Sequence, residues 1–226
     1  MNYQKLLHDL DLKFKDSKIL EQAFYHRSYL NEVQIDIASN ERLEFLGDAI
    51  LSFIISSHLF RAREQDAEGE LTNLRAYIVK TKSLARAAKK LNLGHYLRLS
   101  RGEELGGGRE NPQLLANTFE ALLGAIYIDQ GLTVVQKVIE KNLLSLFTDE
   151  LKAGPPKDAK SLLQEIVQEK LKESPHYKIL TTRGPDHAKK FTVAVFIKGK
   201  EYGRGEGSSK QVAEEQAAIE ALEKLT

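Results

Sequence analysis

The sequence predicts a mainly α protein, an all-helical N-terminal domain followed by a small α-β-β-β-α domain. Three observations carry this prediction. From about residue 6 to residue 151, leucine, alanine and valine recur at helical spacing. Residues 152–157, Lys-Ala-Gly-Pro-Pro-Lys, then break the pattern, because a glycine followed by two prolines ends a helix and favours an extended linker. Beyond the break, apolar residues alternate as in strands, and an alanine-rich helical run closes the chain. The expected organisation is a helical domain over 1–151, a linker over 152–157 and a second domain over 158–226.

Taken in order, residues 19–31 are amphipathic and residues 40–61 form a long, largely apolar helix. Helices at 71–80 and 82–92 follow, then a loop at Gly106, Gly107 and Gly108. Segments 117–129 and 133–151 complete the helical set. After the linker, residues 158–172 read as an amphipathic helix with Asp158 as its N-cap. Strands are expected at 176–182 and 191–198, with a third at 200–205 after the turn at Lys198, Gly199 and Lys200, and a helix over 208–225. That order predicts two helices packed on one face of an antiparallel sheet.

The chain has 226 residues and a formal net charge of +1. Residues 1–153 carry 20 basic and 21 acidic side chains and the remainder 13 and 11, so neither part is a basic block. Any polyanion site must therefore come from local arrangement of charge. There is no cysteine, which excludes disulfides and thiolate metal sites. The first ten residues lack the apolar core of a signal peptide, and no uninterrupted apolar run reaches the ~18 residues that suggest a membrane span. The expectation is a soluble cytoplasmic protein with no membrane partner and no organic cofactor.

The chemistry concentrates in two segments. Glu41, Glu44 and Asp48 stand at i, i+3 and i+7, which stacks three carboxylates along one helix face. Like charges at this spacing repel, and a cation between them removes the penalty. Oxygen-only ligands point to a hard ion, Mg²⁺ or Mn²⁺. The second segment, residues 114–127, is apolar almost all round and reads as a buried helix, yet it carries Asn117 and Glu120 at i and i+3. A carboxylate buried there needs compensation. Face-to-face packing of the two helices would bring Glu44, Asp48, Asn117 and Glu120 together as a metal-ready cluster. Taken alone, the first trio also fits a solvated helix face, and Asn117 with Glu120 a buried hydrogen-bonding pair.

The stretch Asn-Glu-Arg-Leu-Glu-Phe-Leu-Gly-Asp-Ala-Ile-Leu at 40–51 resembles the signature of the ribonuclease III family of double-stranded-RNA endonucleases. The resemblance extends to His26-Arg27-Ser28, to residues 68–76, to 100–104 and to Gly107-Gly108-Arg109, in the family's order. The C-terminal region resembles the double-stranded-RNA-binding domain. The resemblance implies metal-dependent hydrolysis of duplex RNA to 5′-phosphate and 3′-hydroxyl ends with short 3′ overhangs, in rRNA and mRNA processing, by a homodimer. It implies direct Mg²⁺ contacts for Glu44 and Glu120, a water-orienting or proton-transfer role for Asp48, and metal ligation at Asn117. Glu41, Phe45 and Glu68 fall to the dimer contact or the rim of the active site, with Phe45 filling a pocket on the partner. His26 reads as structural.

For the second domain, the resemblance implies RNA contacts by Ser161, Gln164 and Glu165 on the first helix. It implies further contacts by His187 and Lys189 at the loop between strands, and by Ser208, Ser209 and Lys210 at the last helix. Recognition of this kind follows duplex shape over ~16 base pairs. The family usually has Asp where this chain has Asn117. A neutral ligand with activity retained, an engineered change that traps substrate, and a natural member with weakened cleavage all fit. A double-stranded-RNA-binding regulator is the alternative to a nuclease.

Overall fold

Nineteen residues from Pro112 to Gln130 form the helix around which the N-terminal unit is built. The structure, a computed structural model, describes residues 2–33, 38–154, 158–185 and 189–225. It divides into two compact units, Met1–Pro155 and Pro156–Thr226. In the first, the helices are α1 (Gln4–Leu10), α2 (Ser17–Gln22), α3 (Arg27–Leu30), α4 (Glu41–Ala62), α5 (Glu68–Val79) and α6 (Thr81–Lys90). They continue as α7 (Leu93–Tyr96), α8 (Arg101–Leu105), α9 (Pro112–Gln130), α10 (Leu132–Asn142) and α11 (Thr148–Ala153).

Helix α9 starts where Asn111 Oδ1 accepts from the Gln113 and Leu114 backbone N–H groups. Pro112 occupies the first turn, where a missing N–H costs nothing. Ten of its residues from Leu115 to Ile126 are buried, which makes it the central helix of the unit. Its main partner is α4. Helix α4 is long and apolar enough to cross a membrane by length and composition. Its apolarity has a local cause, since Leu43, Ile50, Leu51, Ile54, Ile55 and Leu59 lie in the core of the unit.

Several helical expectations differ from what is observed, and α9 begins at Pro112, five residues before the expected start. The amphipathic run at 19–31 is two helices, because the chain breaks between them to pair with residue 98. Arg98 N donates to Phe24 O at 2.8 Å, and His26 N donates to Arg98 O at 3.1 Å. Phe24 is fully buried at the break, so a tertiary pairing overrides the local period. The run at 133–151 is interrupted by a 3₁₀ turn at Leu144–Leu146, which turns Leu143, Leu144 and Phe147 into the core. Helix α11 continues past Leu151 to Ala153 and stops at Gly154, whose φ is +86°.

The second unit holds α12 (Ala159–Leu171), β1 (His176–Arg183), β2 (Lys190–Ile197), β3 (Lys200–Gly207) and α13 (Lys210–Leu225). The sheet is antiparallel in the order β1-β2-β3, with Tyr177 opposite Val195 and Val195 opposite Gly203. Asp158 caps α12 by accepting from Ser161 N at 3.0 Å. The core is Leu163, Val167, Val195 and Ile197 against Ala217, Ala218 and Ala221. Strand β3 runs through Gly203, Gly205 and Gly207, two residues beyond the expected end. A Cβ on any of these glycines would press into the Ala213–Ala217–Ala221 face of α13. The alternating glycines therefore let the alanine face of the helix lie flat on the strand.

Candidate active site and RNA-facing surfaces

The crossing of α4 and α9 turns on two facing glycines. A Cβ at Gly47 would overlap the Glu120 carbonyl, and a Cβ at Gly124 would overlap that of Leu43. Only glycine at both positions lets the two backbones touch. That contact sets Glu44 and Asp48, which bracket Gly47, across from Glu120.

The electrostatics record the approach. The Glu120 carboxyl is pushed from 4.5 up to about 8, first by burial and then by the charges of Asp48 and Glu44. Glu44 is raised by burial, by Glu41 and by Asp48, and a hydrogen bond from the Asn117 side chain opposes the rise. Three carboxylates thus face one another with no cationic side chain among the causes of either shift. Among the described residues, no three of the Asp, Glu and His side chains close into a tight metal cage.

An open donor set of this kind fits Mg²⁺, which is held through one or two carboxylates and keeps several waters. Asn117 is turned away from that role. Its Oδ1 accepts from Gln113 Nε2 at 2.7 Å, and its amide NH₂ donates to Glu44.

The groove beside this cluster is lined by His26, Arg27, Glu41, Glu44, Gln113 and Asn117. Glu41 is exposed and engaged elsewhere. It accepts from Ser39 Oγ at 2.8 Å and pairs with Arg27 at 3.6 Å. His26 has a structural task, since its Nδ1 accepts from Ser28 N at 3.3 Å at the start of α3. Ser28 Oγ in turn accepts from Ser100 N at 3.0 Å and so ties the segment before α8 to this corner. Burial lowers the His26 pKa, with Glu103 opposing. Arg109 holds the end of α7 by donating from Nη1 to the carbonyls of Gly94, His95 and Leu97.

Phe45 and Glu68 lie outside this groove. Phe45 is 80% exposed, and Phe53 and Phe60 follow it on the outer side of α4 at 60% and 72%. Glu68 lines a recess of ≈ 510 Å³ with Phe53, Phe60, Leu71 and Arg75. That recess sits 9–16 residues along α4 from Glu44, or roughly 14–24 Å at the helical rise. Within one chain, Glu68 does not join the carboxylate cluster. Gln113 is the groove residue that sequence reasoning missed. Its only signal was the Asn111-Pro112 helix start, which sets it one turn below Asn117.

In the second unit, Ser161, Gln164 and Glu165 line one shallow surface of α12 with Gln168, Glu169 and Lys172. Ser161 Oγ donates to Asp158 Oδ2 at 2.9 Å, so the hydroxyl also serves the cap. Ser208, Ser209 and Lys210 are exposed at the start of α13, where Ser209 Oγ accepts from Val212 N at 3.3 Å. Lys189 is exposed just before β2. His187 lies outside the described residues.

Comparison with known proteins accounts for both units. A family described as ribonuclease-III-like matches residues 16–146, and one described as a double-stranded RNA binding motif matches residues 159–225. A protein named Ribonuclease 3 from Treponema denticola is 45% identical over 95% of this chain and 87% of its own length. One of the same name from Desulforamulus reducens is 46% identical over 96% and 88%. A solved nuclease domain of ribonuclease III from Campylobacter jejuni, described for structural flexibility in the region involved in its dimer formation, superposes with a TM-score of 0.60. It is 38% identical and covers 65% of this chain and 99% of that one. With two touching helices that carry the acidic cluster, and with both units matched in order, the chain belongs to the ribonuclease III family.

Proposed function

We propose that the chain is a metal-dependent endoribonuclease that hydrolyses double-stranded RNA to 5′-phosphate and 3′-hydroxyl ends with short 3′ overhangs. The observation that carries this reading is the Gly47–Gly124 contact, which brings Glu44 and Asp48 against Glu120 until burial and mutual repulsion raise the Glu120 pKa to about 8. Nothing in the packing of a plain binding protein calls for such an arrangement. A bound Mg²⁺, or Mn²⁺ in its place, would lower the pKa of water and neutralise phosphate oxygens. Glu44 and Glu120 would hold the ion directly. Asp48, exposed beside them, would orient water or accept its proton. Asn117 would contribute its carbonyl once turned around. The groove between Arg27 and Gln113 would lie along the RNA backbone.

The second unit would grip duplex RNA by shape, through the α12 surface, the segment around Lys189 and the start of α13. Phosphates are favoured at a helix start that also carries hydroxyl and ammonium donors. Two copies would pair along the outer face of α4, each Phe45 entering the partner's recess beside Phe53 and Phe60. An exposed apolar stripe of this size on one helix is expected to be covered. Phe45→Ala should then weaken self-association at least tenfold in sedimentation experiments while leaving the fold intact, since Phe45 contributes nothing to the core of its own chain. An unchanged dimer constant would remove Phe45 from the contact.

The deciding experiment is scission of a duplex RNA with and without Mg²⁺. Cleavage that vanishes in chelator and returns with the ion supports the nuclease. Binding without scission supports the regulator. In the same assay, Asn117→Asp should raise the rate at limiting Mg²⁺ by roughly tenfold, because it returns a charged ligand to a site whose affinity depends on ligand charge. An unchanged Mg²⁺ dependence would show that residue 117 does not touch the ion.

A further inference from the structure

We propose that the solvent face of α6 is a phosphate track, on which Lys82, Arg86 and Lys89 carry the backbone of a duplex RNA past the end of the active-site groove. The inference rests on the reading of that groove as RNA-facing and adds to it a surface outside the carboxylate cluster.

The charged residues of α6 are Lys82, Arg86, Lys89 and Lys90, and all of them are basic. Ser83, Leu84, Ala85, Ala87 and Ala88 are buried. That burial turns Lys82, Arg86 and Lys89, at i, i+4 and i+7, outward together. Lys90 leaves the stripe, because its Nζ donates to Lys141 O at 3.4 Å. The stripe runs roughly 10 Å along the helix. Contacts at both ends fix its place. Thr81 Oγ1 lies 3.5 Å from Oε1 of Gln113, and Gln113 lines the groove. At the other end, Lys89 Nζ pairs with Glu110 at 2.9 Å, just ahead of α9. The stripe therefore flanks the 110–113 segment and continues the groove wall.

These charges do not serve the helix that carries them. Lys82 stands in the first turn, where the helix dipole disfavours a cation. Lys82 and Arg86 are like charges at i and i+4, which repel. Among the described residues, neither has a hydrogen bond or ion pair to offset this. The Lys89–Glu110 pair is exposed on both sides, so it is worth little and a phosphate can take its place. A cationic row left uncompensated within its own chain suits an external polyanion, and duplex RNA is the polyanion assigned to the adjoining groove. Contacts of this kind read no base. They add affinity that is independent of sequence and sensitive to salt.

The test is binding of a duplex about twice the ~16 base pairs that the second unit can span. It uses the full chain with Mg²⁺ in a Glu120→Gln background, so that scission does not consume the probe. Lys82→Gln with Arg86→Gln should weaken binding roughly tenfold at low salt. The plot of log affinity against log salt should become shallower by about two, since each phosphate contact contributes ~0.9. Tm should hold or rise slightly, because a repelling pair is removed. Glu110→Gln should tighten binding by about twofold by freeing Lys89, and adding Lys89→Gln should abolish that gain. Lys5→Gln with Lys137→Gln is the control, an equal change of charge on exposed positions of α1 and α10. It should leave the salt slope unaltered. An equal loss in the control pair, or a native salt slope in the Lys82 and Arg86 pair, would overturn the track. Undiminished RNA binding in that pair would also overturn it and assign the face to another polyanion, such as an acidic protein. Scission by the native chain is decided separately, so each of these results is distinct from failure of the nuclease reading. A Glu120→Gln parent that binds no duplex would refute the RNA reading itself, and this inference with it.

Discussion

Glu120→Gln is expected to cut duplex-RNA cleavage by roughly 10³-fold, with RNA binding retained and the cation-free protein made more stable. The first effect follows from removing a charged ligand. Metal stabilisation of a phosphoryl transition state is worth several kcal/mol, and ~1.4 kcal/mol is a factor of ten. The second follows from the separation of tasks, since the duplex-binding surfaces proposed for the C-terminal unit do not include Glu120. The third follows from proton count. Folded Glu120 keeps its proton to about pH 8, whereas the ordinary value is 4.5. Between those values the folded chain binds more protons than the unfolded one. The contribution of this group is therefore present in full below 4.5, declines as pH rises and is lost above about 8. Glu44 is shifted in the same direction.

Without divalent ions, Tm should fall between about pH 5 and about pH 8.5. Glutamine carries no charge to repel, so Glu120→Gln should flatten that slope and raise Tm at the alkaline end. At ~1 kcal/mol the gain is about 2–4 °C, a figure kept small because Glu120 is only half-buried and partly hydrated. Mg²⁺ should flatten the native slope in the same way. Calorimetry across this range, with and without the ion, reads all of it. A native Tm that is level with pH in chelator would mean that the three carboxylates do not strain one another.

The part of this site that lies on one helix was legible in the sequence. Spacing of i and i+4 puts Glu44 and Asp48 on one face, and i and i+3 does the same for Asn117 and Glu120, whatever the fold. How those faces meet was not legible. Nothing in the periodicity marks Gly47 and Gly124, and only the crossing reveals that each accommodates the other backbone. Gln113 was missed because its partner is the Asn117 side chain one turn away, and no periodicity marks such a pair.

The same division holds for the fold. All three strands were legible, but the last two residues of β3 were not, because the strand character of Gly207 depends on its packing against α13. The break at Phe24 was hidden because its cause, the pairing with Arg98, lies more than 70 residues away in sequence.

Gly47→Ala and Gly124→Ala are expected to be the most damaging single-methyl changes in the nuclease unit. Most glycine-to-alanine changes within helices help by up to ~1 kcal/mol, since alanine is the better helix former. At Gly47 the new methyl would collide with the Glu120 carbonyl, and at Gly124 with that of Leu43. Both obstacles are backbone, so no rotamer change relieves them, and the helices must separate. Overpacking of this kind costs about 3 kcal/mol or more, which lowers Tm by roughly 6–12 °C in a domain of this size.

Gly69→Ala is the internal control. It lies in α5, and a Cβ there meets nothing within 4 Å, so the change should be neutral or stabilising. Separation of α4 from α9 also makes a functional prediction that loss of stability alone does not. At a temperature where the Gly47→Ala protein is still folded, Glu44 and Asp48 would stand further from Glu120. The Glu120 carboxyl should then titrate closer to its ordinary value, and Mn²⁺ should bind more weakly. If Gly47→Ala instead bound the ion as the native chain does, the crossing would be only a packing feature, and the link between helix contact and metal chemistry would fail.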